Sequence, residues 1–339
     1  MSKKLSPGFI LPLTVIIIFS ISALLIRLMT RATVLIPRQQ MAADREQAKQ
    51  LALMGVTLVQ GQLALPIKKE KEKQEFFTQL LMLLNRWQSY ALKEEFDGVD
   101  GSIEFYVSCE DGKIPLNALW KFKEKKFIAP PELDAKKLLA NVMFVGNAAQ
   151  KGQQPVLEKL AEFFKQRDKP LEDLTDLFSD DSFKSLATTW LPLPKNKEEG
   201  ALQERGIYFG DFFTVALQDL KIQPLFFSAS VKDMLNIKKE SGDAAKFEEE
   251  IKKIAGNIKE SVNWEQQWNT ILAPTYGVTY EKLSEDIKKM FEPRVGASTI
   301  SVVSYGKVGN FTQKVFALLT QNVDADGYAS YAIRKLYWL

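Results

Sequence analysis

Between Phe9 and Ile26 the chain carries no charged residue and is almost wholly apolar. As an α-helix this run is roughly 27 Å long at about 1.5 Å per residue, close to the hydrocarbon thickness of a bilayer. Such a segment is either removed as a signal or kept as a membrane helix. It is preceded by Met1-Ser2-Lys3-Lys4-Leu5-Ser6-Pro7-Gly8 and followed by Arg27, Arg31 and Arg38. A cleaved secretory signal wants two small residues, one apart, just beyond the apolar run. Ser20-Ile21-Ser22 lies inside the run, and Thr30-Arg31-Ala32 puts an arginine in the cleavage site. A plain signal anchor uses the run and leaves the basic leader unexplained. A cut between Gly8 and Phe9 uses both and keeps the membrane helix. Gly8 can enter a tight protease cleft, and Pro12 falls in the first helical turn, where a missing N–H costs little.

The helix is expected to continue beyond the bilayer, bending at Pro37. In Gln39–Leu65 the residues Leu51, Met54, Leu58 and Val59 recur at helical spacing, and Pro66 with the Lys68–Lys73 charge cluster closes the segment. This stripe is expected to lie uncovered and to serve as an assembly face. The positive-inside count opposes an outward-facing head, because three arginines follow the apolar run and two lysines precede it. The leader decides the orientation, since the arginines lie along a helix that continues out of the membrane.

The rest of the 339-residue chain is long enough for a sizeable core, and its net charge of +3 is small. Lysine and glutamate are interspersed, which argues against a nucleic-acid partner. There is no histidine and one cysteine, Cys109. Histidine-based catalysis is excluded, zinc, copper and haem lose their usual ligands, and an intrachain disulfide cannot form. Cys109 follows Ile103-Glu104-Phe105-Tyr106-Val107 in phase and reads as a small core residue rather than a reactive thiol.

Periodicity predicts a helix over Gln74–Leu92, a strand over Ser102–Cys109 and a turn at Glu110-Asp111-Gly112-Lys113. From Leu133 to Met290 the signals are mainly helical, at Ala135–Val145, Val156–Lys165, Leu171–Phe178, Ala244–Lys259 and Tyr280–Met290. The Lys–Glu spacing in Lys246–Lys259 indicates a solvated face. Strands return at Thr299–Tyr305, Asn310–Thr320 and Tyr328–Trp338, with turns at Gly306-Lys307-Val308-Gly309 and Asp324-Ala325-Asp326-Gly327.

Lys3-Lys4 with Gly8 immediately before Phe9 resembles the processing site of type IV prepilins, where a peptidase cuts after glycine and the new terminus is methylated. Glu110–Leu119 is similar to a segment of K-type minor pseudopilins of type II secretion systems, in which a strand ends in an acidic-Gly-Lys turn followed by alternating apolar and Asn residues. Gly210–Val215, Leu220–Ile222 and a short helix from Ser230 are similar to that family's strand-turn-helix segment. The resemblance implies an α+β fold, with a long N-terminal helix packed on an antiparallel sheet and a large helical insertion. The parts would be a leader at 1–8, a transmembrane helix at 9–36, stalk and first part of the head at 37–132, a helical insertion at 133–295 and returning strands at 296–339. It also implies a structural subunit rather than an enzyme, held in a bacterial inner membrane by one span with its head in the periplasm. Its partners would be other minor pseudopilins, the prepilin peptidase, the inner-membrane secretion platform and membrane lipid. Leu13 becomes the fifth mature residue, where most pilins carry a glutamate that meets the terminal amine of the preceding subunit. An apolar residue there fits a subunit with no predecessor, at the fibre tip.

No HExxH, GxSxG, Walker loop or dinucleotide fingerprint is present. Rival readings are a minor pilin of a type IV pilus and a membrane-anchored hydrolase using carboxylates. No cofactor is expected. Asp180-Asp181 and Asp324 with Asp326 offer oxygen ligands for a calcium site, although solvated turns and helix caps use such residues in the same way.

Overall fold

The computed structural model describes residues 10–130, 133–136, 138, 156–183, 190–191, 208–217, 219–237, 244–258 and 261–339. The leader, the Gly8–Phe9 junction and most of the expected Ala135–Val145 helix lie outside the described residues. One helix, α1 (Ile10–Gln62), begins the described chain and continues through Pro37. Its stretch Thr14–Arg31 is exposed throughout and is long and apolar enough to cross a membrane. Farther along, Ala48, Leu51, Ala52, Val56, Val59 and Leu63 form a buried stripe at three- and four-residue spacing.

That stripe rests on an antiparallel sheet. The strands are β1 (Leu65–Pro66), β2 (Trp87–Leu92), β3 (Gly101–Cys109), β8 (Thr299–Val308), β9 (Phe311–Val323) and β10 (Tyr328–Trp338), in the order β1-β10-β9-β8-β3-β2. Between β3 and β8 lie four short strands: β4 (Ile114–Pro115), β5 (Trp120–Lys121), β6 (Lys126–Phe127) and β7 (Phe213–Thr214). β4 pairs with β7 in parallel, and β5 with β6 antiparallel. The expected α+β architecture is the one found.

The helix can approach the sheet closely because small residues face each other. A Cβ on Gly306 would lie 2.1 Å from the Ala48 carbonyl oxygen and 2.4 Å from the Ala52 nitrogen. This contact corrects the turn expected at Gly306–Gly309. β8 runs on to Val308 beneath the helix, and the reversal is confined to Gly309-Asn310, with Gly309 at φ +54°. The 324–327 turn is as expected, with Gly327 at φ +73° donating its N–H to the Asp324 carbonyl.

The helix expected over Gln74–Leu92 is also corrected. A helix α2 (Glu70–Leu83) starts earlier, with the Glu72 carboxylate accepting from the Lys69 backbone N–H at 2.9 Å, and stops at Leu84. Asn85 adopts φ 61° and turns the chain into β2. Its side chain holds the corner by donating to Phe227 O (2.9 Å) and accepting from Ala229 N (3.1 Å). A four-residue helix, α3 (Glu94–Asp97), then leads into β3.

Cys109 and Ile300 are register partners on adjacent strands, so the chain leaves the sheet at Glu110 and returns beside its point of departure at Thr299. The excursion carries helices at Val156–Lys165, Ala229–Met234, Ala244–Asn257, Trp264–Ile271 and Glu285–Lys289. The 171–178 stretch is 3-10 helix over Leu174–Ser179 rather than α-helix, and 280–290 is a 3-10 turn followed by the Glu285–Lys289 helix. Of the 210–215 run, Phe209–Phe212 is a helical turn and only Phe213–Thr214 is strand. In Ala244–Asn257 the pairs Glu248–Lys252 and Glu249–Lys253 lie at 2.6 and 2.8 Å on the solvated side, while Phe247, Ile251 and Ile254 are buried. The lysine-rich stretch therefore has the solvated face its spacing predicts.

Candidate functional site

Two parts of the molecule stand apart from ordinary core: the neck through which the excursion leaves the sheet, and the surface of α1 below the head. The neck is built from the Glu110-Asp111-Gly112-Lys113 turn, a tight 3-10 turn at the end of β3. Turns with this composition normally face water. Here Glu110, Asp111 and Lys113 are all buried, Lys113 completely. The Lys113 ammonium donates to Glu110 Oε1 (2.5 Å), Gly210 O (2.9 Å) and Ser301 Oγ (3.0 Å), so each of its three protons has an acceptor. The Asp111 carboxylate accepts from Ser298 N (2.7 Å), Ser298 Oγ (2.7 Å) and Thr299 N (3.1 Å). Its carbonyl accepts from Gln223 N at 2.7 Å. One four-residue turn thus ties the outgoing strand, the incoming strand and two segments of the excursion together. Asn117 adds a reciprocal pair with the Leu171 backbone, at 2.9 and 2.8 Å.

Burial governs the electrostatics of the neck. Burial pushes the Asp111 carboxyl above its usual range, against the hydrogen bonds from Ser298 and Thr299 that favour its charged form. Burial, reinforced by the Asp111 charge, pushes the Cys109 thiol well up as well, so it is poor in thiolate. Tyr331 lies beyond, donating to Ala297 O at 2.8 Å, and burial raises its phenol far above the ordinary value of about 10. These shifts give a prediction with a definite sign. In alkali the unfolded chain loses the Tyr331 and Cys109 protons while the folded chain keeps them, so the folded state binds more protons and stability falls as pH rises. Full-length protein in detergent should lose stability progressively above about pH 9, and Tyr331→Phe should flatten that loss. Melting curves across this range check it, and an unchanged slope would count against it.

The residues expected to face partners fall into two groups. Leu51 and Val59 are buried against the chain's own sheet, and Leu58 is half-buried. The expectation that the Leu51–Val59 stripe lies uncovered is therefore corrected, because the strands that cover it come from far along the chain. Met54 is 49% exposed, and Leu53 and Met41 are exposed with it. Leu13 lies in the first turns of α1, just before the Thr14–Arg31 stretch.

The acidic pairs proposed for calcium are engaged in local turns. An Asp180 oxygen accepts from Ser182 N at 2.8 Å, and Asp324 Oδ1 from Tyr328 N at 2.8 Å. Among the described residues no group of three or more His, Cys, Asp or Glu is close enough to hold a metal ion. A cavity of about 400 Å³ opens between α2 and the 294–297 stretch, with Phe76, Phe77 and Ile258 in its wall. Its described lining carries a single carboxylate, Glu70, where paired acid–base hydrolysis needs two.

No protein-family profile matches the chain, and no curated protein sequence does. Among solved structures, the chain is similar to a chain of the GspK-GspI-GspJ complex from the type 2 secretion system of enterotoxigenic Escherichia coli. The identity is 12% and the TM-score 0.44, over 91% of this chain and 99% of that chain.

Proposed function

We propose that the protein is a K-type minor pseudopilin, a membrane-held structural subunit that assembles at the tip of a type II secretion pseudopilus. The observation that carries this reading is α1 itself. A single helix is apolar and bare over Thr14–Arg31, then buries its face on a sheet from Ala48 onward. A helix with one end suited to lipid and the other fixed in a head can leave the bilayer and join a fibre without refolding the head. The acidic-Gly-Lys turn supports the same reading, since the residues that carry the resemblance also close the neck of the excursion. Leu13 supports a place at the tip, because a subunit with no predecessor has no amine to neutralise a carboxylate buried in hydrocarbon. Mass spectrometry of membrane-extracted protein should find methylated Phe9 as the mature terminus, and labelled protein should appear once, at one end of isolated fibres. An intact Met1, or label along the fibre length, would sink the proposal.

A further inference from the structure

Arg31, Arg38 and Arg45 stand at heptad spacing on α1, and Arg27 lies one turn below Arg31. At about 100° per residue the four fall within about 40° of arc, forming one row along the helix. All four are exposed. No acidic residue lies three or four positions from any of them, and none precedes Asp44 in the chain. Among the described residues none of the four is in an ion pair. Arg27 and Arg31 are themselves a like-charge pair at four-residue spacing, which weakens an isolated helix. The row continues the side of the helix that packs on the sheet, where Ala52, Val56 and Leu63 are buried. Below the head this side has lost its cover and turned basic.

Lipid cannot neutralise the whole row. Arg31 ends the membrane-length stretch. Arg38 and Arg45 stand about 10 and 21 Å beyond it along the axis, whereas the headgroup layer is roughly 5–8 Å deep on each side of the hydrocarbon core. Beyond the headgroups the upper arginines are left to water or to a protein partner that bears carboxylates. We infer that the Arg31, Arg38 and Arg45 row docks a partner helix that presents carboxylates at the same heptad spacing, side by side with α1 beneath the head. Heptad-spaced charges flanking a helix–helix seam set partner choice and register in this manner. The inference needs only the helix and its charges, so its failure leaves the subunit reading standing.

Full-length protein in phosphatidylcholine nanodiscs tests it against two synthetic helical peptides of identical composition. One carries three glutamates at heptad spacing, and the other spreads them around the helix. The heptad peptide should bind about tenfold more tightly, the sum of three modest ion pairs. The Arg38→Gln, Arg45→Gln double variant should lose that preference while keeping the parent's melting behaviour, since both side chains are exposed. Equal binding of the two peptides, or a preference that survives the double variant, overturns the inference. So does loss of the preference when phosphatidylglycerol replaces part of the lipid, because headgroups would then be occupying the row.

Discussion

Replacing Gly112 with alanine is expected to destabilise the head by about 3 kcal/mol or more, among the largest effects of any single methyl group in this chain. A Cβ at this position would lie 1.8 Å from the Phe226 carbonyl oxygen, 2.3 Å from its carbon and 2.8 Å from the Phe227 nitrogen. These are backbone atoms, so no rotamer change can relieve the contact. The backbone they belong to is also held on other sides. Phe226 N donates to Gln223 O, and Tyr276 Oη donates to the carbonyls of Pro224 and Leu225. Moving that segment by an ångström would draw Phe226 and Phe227, both fully buried, out of the core. Gly61 supplies the control. A Cβ there meets nothing within 4 Å, and the position is helical, so Gly61→Ala should be neutral or slightly stabilising. Melting of full-length protein in detergent decides the matter, and a Gly112→Ala variant that melts with the parent would refute the close approach.

The neck also shows where reading the sequence reached its limit. The apolar run that becomes the exposed end of α1 is legible because eighteen uncharged residues admit few structures. The strand β3 is legible because apolar and polar residues alternate from Ile103, and β9 and β10 because aromatic and aliphatic runs stand between turn residues. Leu84 and Trp87 continue a helical spacing by coincidence, and what separates α2 from β2 is the backbone of one residue, Asn85, fixed by Phe227 and Ala229 far along the chain. Likewise, Leu51 and Val59 looked uncovered because their cover is supplied largely by β8 and β9, more than two hundred residues later. The resemblance marked the Glu110–Lys113 turn as a landmark, but its composition gives no sign of burial, since such turns normally face water. Only the geometry shows that Gly210, Ser298 and Ser301 converge on it. The one local sign was a charged turn bounded on both sides by strongly apolar strand residues.

The second large effect follows from that burial. Lys113→Met keeps the length of the side chain and removes its charge. It leaves the Glu110 carboxylate buried without its cation, and takes a donor from Gly210 O and Ser301 Oγ. Breaking a buried pair from one side costs about 3–5 kcal/mol, mostly because of the charge left behind. Glu110→Gln should be costly for the complementary reason, since it leaves an ammonium in the core with only neutral acceptors. Removing both charges together should recover much of the loss, because the desolvation of each ion disappears with the pair. The expected signature is a double variant more stable than the sum of the two single effects allows, by about 2 kcal/mol. Lys113→Arg is not expected to substitute, because a planar guanidinium is larger than the fully enclosed site and points its donors differently. The single variants should also become sensitive to protease near Lys113, where both chain crossings of the neck are held. Strictly additive losses, or a Lys113→Met variant as resistant as the parent, would mean that the ion pair does not hold the neck closed.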